Sequence, residues 1–491
     1  MNLEEGTTTT EVSATTITVD KPKAPKLDIK RITLIGMAFL AIQMFWQVYD
    51  TYMPLFLLDF NIDETMIGFI MALDNILALL MLPIIGLWSD NFPGKLRNKF
   101  GRRVPFIVVG SIAAAAIFIV VNIAHINQKI GLMICMTVLL VLFMNLYRTP
   151  AVSLMPDITP KRVRSGANAI INILGAVGMA LALVLSMIFK KSEEDVARTN
   201  QFGLPTYKLA EGSGNWVIIG AVCAALVIVA LIFVFFVKEN KFVKEKNDKI
   251  KELGLDLEEI EPPKERVKLK EVLASLAKSQ KFSLLFILLS VALWYFAYNA
   301  MGTWFSSFWF KEIADSGFEI PMLIGNVIAF AMFVPAVAIG KKFGRKKTVL
   351  FGVILMIGAF ALGTVLQFAA PSQTVLKFAM YAVFALVGAG WATINVHSFV
   401  MSVEMANERT NGVFTGFYYA FAMGAQVLTP IISGAIISAT GLRALMPYAL
   451  VFSVLAFLTM LPVKHGNVKS EPAPTAPATT PTDTPVGDAN A

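Results

Sequence analysis

The sequence predicts an all-α membrane protein, twelve transmembrane helices arranged as two pseudo-symmetric six-helix bundles, and three observations carry that prediction. Of 491 residues 56% are hydrophobic and only 15% charged, with a mean hydropathy of +0.66, whereas an ordinary soluble domain carries about 25% charged residues. The apolar residues are concentrated in twelve long runs, each near the ~20 residues needed to cross hydrocarbon. The polar turns between corresponding runs repeat at an offset of about half the chain.

In order, a Thr-rich polar segment, residues 1–31, ends in Lys26, Lys30 and Arg31 and is expected to be disordered and cytoplasmic. No small-residue cleavage site follows the first run, so that run is expected to be a retained helix, not a signal peptide. Spans are predicted near 32–58, 65–88, 104–124, 130–150, 166–189 and 215–237, making a first bundle over 32–237. A Lys- and Glu-rich cytoplasmic loop, 238–282, divides the chain. The second bundle, 283–463, holds spans near 283–310, 322–340, 348–369, 378–402, 412–437 and 444–463. The tail, 464–491, turns to Pro, Ala and Thr and is expected to be disordered.

The net charge of +8 is a topology record. With the N-terminus inside, 33 of the 42 basic residues fall on the cytoplasmic side and 8 on the other, and Arg148 lies within a span. That asymmetry follows the positive-inside rule, places both termini in the cytoplasm of a multi-pass cell (plasma) membrane protein, and leaves no surplus to indicate nucleic acid. Cys135 and Cys223 both lie in apolar runs, so no disulfide framework or thiolate metal site is expected. With three histidines and no nucleophile-base pair or Gly-rich phosphate loop, an enzyme is not expected and no cofactor is implied.

Gly101-Arg102-Arg103 stands between spans 2 and 3, and Gly344-Arg345-Lys346 between spans 8 and 9; Asp157 with Arg164 and Gly166 between spans 4 and 5 is matched by Glu404 with Arg409 and Gly412 between spans 10 and 11. The offsets, 243 and 247 residues, argue for duplicated halves. With Ser89-Asp90, the stretch Phe100 to Phe106, Tyr147 to Asp157 and Ala167 to Asn172, these turns resemble those of the major facilitator superfamily, and within it the sucrose-carrier-like branch of the glycoside-pentoside-hexuronide cation symporters. The resemblance covers residues 30–465. It implies the major facilitator fold, with spans 3, 6, 9 and 12 outermost around a cavity between the halves. Three features depart from the branch: a longer stretch between Asp90 and Gly101, Lys341 where an acid is usual, and no acid in span 4.

Charge at the bilayer centre costs about 2.5–3.5 kcal/mol or more, so such residues face a cavity or a partner. Within the predicted spans only Asp50, Asp74 and Arg148 are charged. Span 1 presents Gln43, Trp46, Gln47 and Asp50 as one stripe; span 7 offers Trp294, Tyr298 and Asn299, span 10 Trp391 and Asn395, and span 5 Asn168 and Asn172. Flat apolar rings beside amides suit a small neutral polyhydroxylated substrate. Taken singly, each ring also suits an interfacial anchor and each amide a helix-helix contact.

Asp50 and Asp74 are the candidate ion-coupling groups, because low dielectric disfavours the ionised carboxylate and so suits binding and release of a proton. Na⁺ is the second choice, since the Asp-Pro of melibiose-type carriers is absent and Leu82 precedes Pro83. A structural pairing with Arg148 or Asn75 is the alternative. Asp90, Arg102, Arg103, Arg148, Asp157, Arg164, Glu404 and Arg409 form a candidate cytoplasmic gate, with pairs expected to cross the halves in one conformation of an alternating-access cycle. His397 is expected to be a structural histidine bonded to a neighbouring helix. The predicted function is a monomeric secondary active sugar-cation symporter. A proton-coupled exporter is disfavoured by Met179-Ala180 after Gly178 where a Gly-Pro would stand, and a non-transporting receptor leaves two gate signatures without a role.

Overall fold

The computed structural model describes residues 27–160, 163–189, 198–199, 205–206, 214–252, 272, 274, 276–314, 317–369, 372–406 and 410–466. Of the two segments expected to be disordered, residues 1–26 and 467–491 lie outside these residues, as do most of the second part of the central loop and Arg409. Ile29 to Arg31, expected in the disordered N-terminus, instead form the first turn of span 1, capped by Asp28, which accepts the Arg31 amide at 3.2 Å. Twelve helices are long and apolar enough to cross a membrane. Spans 1 to 6 are Ile29–Leu58, Glu64–Asp90, Val104–Ile126, Ile130–Ile158, Arg164–Ile188 and Gly214–Phe235; spans 7 to 12 are Lys278–Glu312, Glu319–Phe343, Arg345–Ala369, Gln373–Val403, Asn411–Thr440 and Leu445–Met460. Among the described residues, a loop helix at Lys95–Phe100, a linker helix at Glu239–Glu252 and a 3-10 turn at Leu442–Ala444 lie between spans. One two-residue antiparallel pair, Arg198–Thr199 with Pro205–Thr206, interrupts the all-helical pattern.

Local chemistry sets the helix boundaries. Asp63 caps span 2 by accepting the Thr65 amide at 2.9 Å, and Ser372 caps span 10 through the Val375 amide at 3.3 Å. Gly101 at φ 101° and Gly344 at φ 89° occupy the left-handed region just before spans 3 and 9, a conformation that a side chain disfavours. These are the two glycines of the sequence repeat, so the repeat marks equivalent turns.

Packing follows the duplication. In the first half span 3 packs on spans 4 and 6, span 1 on spans 5 and 6, and span 2 on span 4; in the second half span 9 packs on spans 10 and 12, span 7 on spans 11 and 12, and span 8 on span 10. The halves meet along spans 2 and 11, 5 and 8, and 1 and 7. The first two pairs exchange under the same pseudo-twofold relation.

Calling the end that carries the basic loops the basic end, three polar contacts join the halves at the opposite, far end. Ser306 Oγ donates to the Thr51 carbonyl at 2.9 Å, Lys311 Nζ lies 3.4 Å from Glu64 Oε1, and Ser438 donates to Asp63. Spans 2 and 11 cross so closely that a Cβ on Gly68 would strike the Pro430 carbonyl, and one on Gly434 the carbonyl of Glu64. The Ser438 hydroxyl, with the cap bonds to span 2, holds the Asp63 carboxyl below the usual carboxylate range. Its contribution to the far-end latch is present above about pH 3.9 and lost only as pH falls through that lowered value.

The linker helix belongs structurally to the first half. Phe242 is buried beneath Arg31, whose guanidinium lies 4.6 Å from the ring centroid, and Arg31 also pairs with Glu245. Asn240 Nδ2 donates to the carbonyls of Arg97 and Asn98 at 2.9 and 3.0 Å. At the far end His125 Nε2 and Asp59 Oδ2 lie 2.9 Å apart, both side chains 3% exposed, with Phe56 stacked on the imidazole at 4.2 Å. This contact fastens span 1 to span 3.

Candidate functional site

Gln43, Trp46, Gln47 and Asp50 are partly exposed along one side of span 1, and Asp74 is partly exposed on span 2. Asp50 interacts electrostatically with Asp74 and Arg148, and Asp74 with Arg148. Arg148 is exposed and makes no hydrogen bond or ion pair with another described residue. No described partner ties it to the basic-end gate, and the two central carboxylates are the charges it interacts with. The expected structural pairing with Arg148 is a through-space interaction, whereas Asn75 Nδ2 does bond Asp74 Oδ1, at 2.7 Å. With all three ionised the trio carries a net charge of −1, which one bound cation neutralises.

The second half supplies rings and no charge at this level. Tyr298 of span 7 stacks on Trp391 of span 10 with centroids 5.6 Å apart, and Phe333 of span 8 meets Trp391 edge-on at 5.8 Å. Tyr298 is also within electrostatic reach of Asp50, so this stack and the carboxylates border the same space. Asn395 spends its amide donor on the Trp391 carbonyl at 3.1 Å, and Gln47 spends its own on Thr51 Oγ1 at 3.1 Å. Trp294 is 1% exposed and stacked on Tyr295 at 3.9 Å, so in this conformation it lies behind the wall and not on its surface. Asn168 and Asn172 are exposed on span 5 toward the basic end, away from the ring stacks. Because the far end is sealed and Arg148, Asn168 and Asn172 are exposed, the site is reached from the basic end.

Three residues escaped the sequence reading. Tyr295, Tyr418 and Phe333 join the second-half cluster, Tyr418 through a 3.0 Å hydrogen bond to Ser398 on span 10. Tyr418-Tyr419 within an apolar run was the available signal. His397 Nε2 lies 2.9 Å from the Ala336 carbonyl of span 8, the expected structural contact.

At the basic end the described charges pair within each half, so this is not the conformation in which pairs crossing the halves are expected. Arg103 lies 2.5 Å from Asp157 and 3.0 Å from Asp90; Arg102 lies 2.9 Å from Asp157 and 3.4 Å from Asp90. Ser89 Oγ accepts from Arg103 at 3.1 Å. In the second half Arg345 pairs with Glu404, the duplicate of the Arg102-Asp157 pair. Arg164 instead caps carbonyls, those of Thr159 and Pro156, at 3.1 and 3.0 Å.

Glu239 completes the first-half network. It is 2% exposed, and its carboxylate accepts the amides of Arg102, Arg103 and Val104 at 3.1, 2.9 and 3.2 Å. Burial raises its pKa despite these three donors. Glu239→Ala would leave those amides at the start of span 3 unpaired. An unsatisfied buried donor costs about 1–3 kcal/mol, so a clear drop in detergent melting temperature is expected, and an unchanged melting curve would contradict the capping role.

The sequence profile of the Major Facilitator Superfamily matches residues 35–424 and 329–485. The chain belongs to the Major Facilitator Superfamily. As a member it is a multi-pass membrane transporter and not an enzyme. Solved superfamily structures agree on the fold: a variant of the nucleoside transporter NupG aligns at TM-score 0.62 and 15% identity, over 88% of this chain and 100% of that one. A D-xylose-proton symporter aligns at TM-score 0.57 and 15% identity, over 88% and 96%. Among curated superfamily relatives, Sucrose transport protein SUT4 of Oryza sativa subsp. indica is 30% identical over 89 residues, 18% of this chain and 14% of that protein. Sucrose transport protein SUC3 of Arabidopsis thaliana is 26% identical over 162 residues, 28% and 26% of the two lengths. The match thus spans about a quarter or less of the curated relatives' length.

Proposed function

We propose that this transporter is a sugar-cation symporter of the cell membrane, carrying a glycoside or oligosaccharide together with a proton by alternating access of its two halves. The observation that carries this reading is the central trio. Two intramembrane carboxylates and one guanidinium, none in an ion pair among the described residues, border a space walled by stacked aromatic rings. Holding a net −1 in low dielectric is costly, and uptake of one cation relieves that cost. The rings and amides supply the apolar face and hydrogen-bonding groups that a neutral polyhydroxylated solute needs. Local similarity to sucrose transport proteins supports the same substrate class.

A proton is preferred to Na⁺ because a hard cation wants several oxygen ligands, and no group of three or more acidic, histidine or cysteine residues gathers among the described residues. Positive-inside counting makes the basic end cytoplasmic, so the conformation described is closed to the outside and open inward. Proteoliposome counterflow against a panel of mono- and disaccharides, with and without a proton gradient, tests the reading. Sugar-specific counterflow, with accumulation only under an inward proton gradient, is expected. Accumulation under a sodium gradient alone would replace the ion, and no sugar counterflow would overturn the substrate class.

A further inference from the structure

Four polar groups on spans 1 and 7 are buried without a hydrogen-bond partner among the described residues: Trp46 Nε1, Tyr49 Oη, Trp294 Nε1 and Asn299 Nδ2. Spans 1 and 7 pack on each other across the seam between the halves. Trp46 and Tyr49 sit one turn apart with ring centroids at 5.5 Å, and Tyr49 lies within electrostatic reach of both Asp50 and Asp74. Asn299 follows Tyr298, the ring stacked on Trp391. Trp294 and Tyr49 are each only 1% exposed.

All four groups can donate, and three of them can only donate. A buried orphan donor is expensive in a membrane, where no bulk water can repair it. Two nearby amides are better satisfied, because Gln47 and Asn395 each pair one N–H with the protein, to Thr51 Oγ1 and the Trp391 carbonyl.

We infer that Trp46, Tyr49, Trp294 and Asn299 form a donor set completed by the substrate, each pairing with a hydroxyl, ring or glycosidic oxygen acting as acceptor when the seam between spans 1 and 7 parts and re-forms around the bound sugar. This inference rests on the sugar reading above and sharpens it. It adds Tyr49 to the site, gives Trp46 a polar task besides that of an apolar platform, and gives Trp294, which lies behind the wall, a polar task in place of one. The substrate's own hydroxyl protons go the other way, to the amide and carboxyl oxygens of Gln47, Asn395, Asp50 and Asp74.

The donor set has a thermodynamic signature that a structural role lacks. Removing an orphan N–H or O–H while keeping the ring relieves a cost in the empty transporter and removes a bond in the loaded one. Tyr49→Phe should therefore raise the melting temperature of the sugar-free protein while weakening sugar binding about five- to tenfold, the effect of one ordinary hydrogen bond. Trp46→Phe and Trp294→Phe also lose ring volume, so for them the expected readout is the same loss of affinity alone. The experiment is thermal melting of the purified full chain across a titration of the sugar that gives counterflow in the wild type, with uptake KM in proteoliposomes as the second readout. Tyr49→Phe deletes a single oxygen and guards against a variant that fails to fold. Opposite movement of stability and affinity supports the donor set. Unchanged affinity in all three variants overturns it and leaves the sugar reading intact, as does a lowered melting temperature for Tyr49→Phe, which would mean that the hydroxyl is satisfied within the protein. A wild type that shows neither counterflow nor stabilisation by any sugar overturns the substrate reading itself, and the donor set with it.

Discussion

Asp74→Asn and Asp50→Asn are expected to abolish sugar accumulation against a gradient while sparing exchange. A proton crossing 100 mV releases about 2.3 kcal/mol, enough for roughly fiftyfold accumulation. An asparagine keeps the shape and hydrogen-bonding reach of the carboxyl but cannot take up a proton, so the coupling variant should equilibrate sugar to a ratio near one. Counterflow driven by trans sugar needs no net proton movement and should persist. The two positions are separable: Asp74 is held by the Asn75 amide at 2.7 Å, whereas Asp50 shares the stripe with Gln47 and Trp46 and lies near Tyr298. Loss of affinity as well as coupling is therefore expected for Asp50→Asn, and loss of coupling alone for Asp74→Asn. Undiminished accumulation in both variants would remove these carboxylates from ion coupling.

The second large effect belongs to two residues without any side-chain chemistry. At the crossing of spans 2 and 11 the backbones touch at Gly68 and Gly434. Gly434→Leu puts a branched side chain where the Glu64 carbonyl already sits. Overpacking costs about 1–3 kcal/mol, and because the clash exists only in the state closed at the far end, the cost falls on the conformational equilibrium. A bias of about 3 kcal/mol changes the ratio of two states by about 150-fold. Turnover should fall by a comparable factor, with the protein folded and its far end held open. Spin labels introduced at Ile62 and Ala439, on either side of the crossing, should report a longer distance than in the unsubstituted chain. Wild-type turnover with the short distance preserved would show that the seam tolerates a side chain and does not limit closure.

The spans were legible because hydrocarbon imposes a length and a composition that the sequence must print. Their ends were less so: span 7 begins at Lys278 and not near 283, since Lys278, Ser279, Gln280 and Lys281 form good helix outside the apolar run, and Gln280 folds back on the Ala277 amide at 3.0 Å. The repeated glycine turns were legible for a similar reason, each needing a backbone conformation that few residues adopt. Glu239 was invisible because its partners lie 135 to 137 residues earlier in sequence, and nothing in a Lys- and Glu-rich stretch distinguishes the one glutamate that docks from those facing water. Arg148 was read both as a gate residue and as an alternative partner of the two carboxylates. Depth gives a distance along the membrane normal and says nothing about which way a helix turns its side chain, so the sequence could not choose between the two. Likewise Trp294 looked like a surface platform, and its stacking behind Tyr295 depends on how spans 7 and 11 rotate against each other.

The duplication is preserved unevenly, and that unevenness has an evolutionary reading. Gly101 and Gly344, and the Arg102-Asp157 and Arg345-Glu404 pairs, still mirror each other at the basic end. At the centre the mirror is broken: the carboxylates and guanidinium stand on spans 1, 2 and 4, and the ring stack on spans 7, 8 and 10. Ancestry survives where two rigid bodies must swing in step and has been erased where one cargo with unlike ends has to be held. Substitutions in the ring-bearing copy can then alter the walls of the central space without touching the charged groups of the other copy.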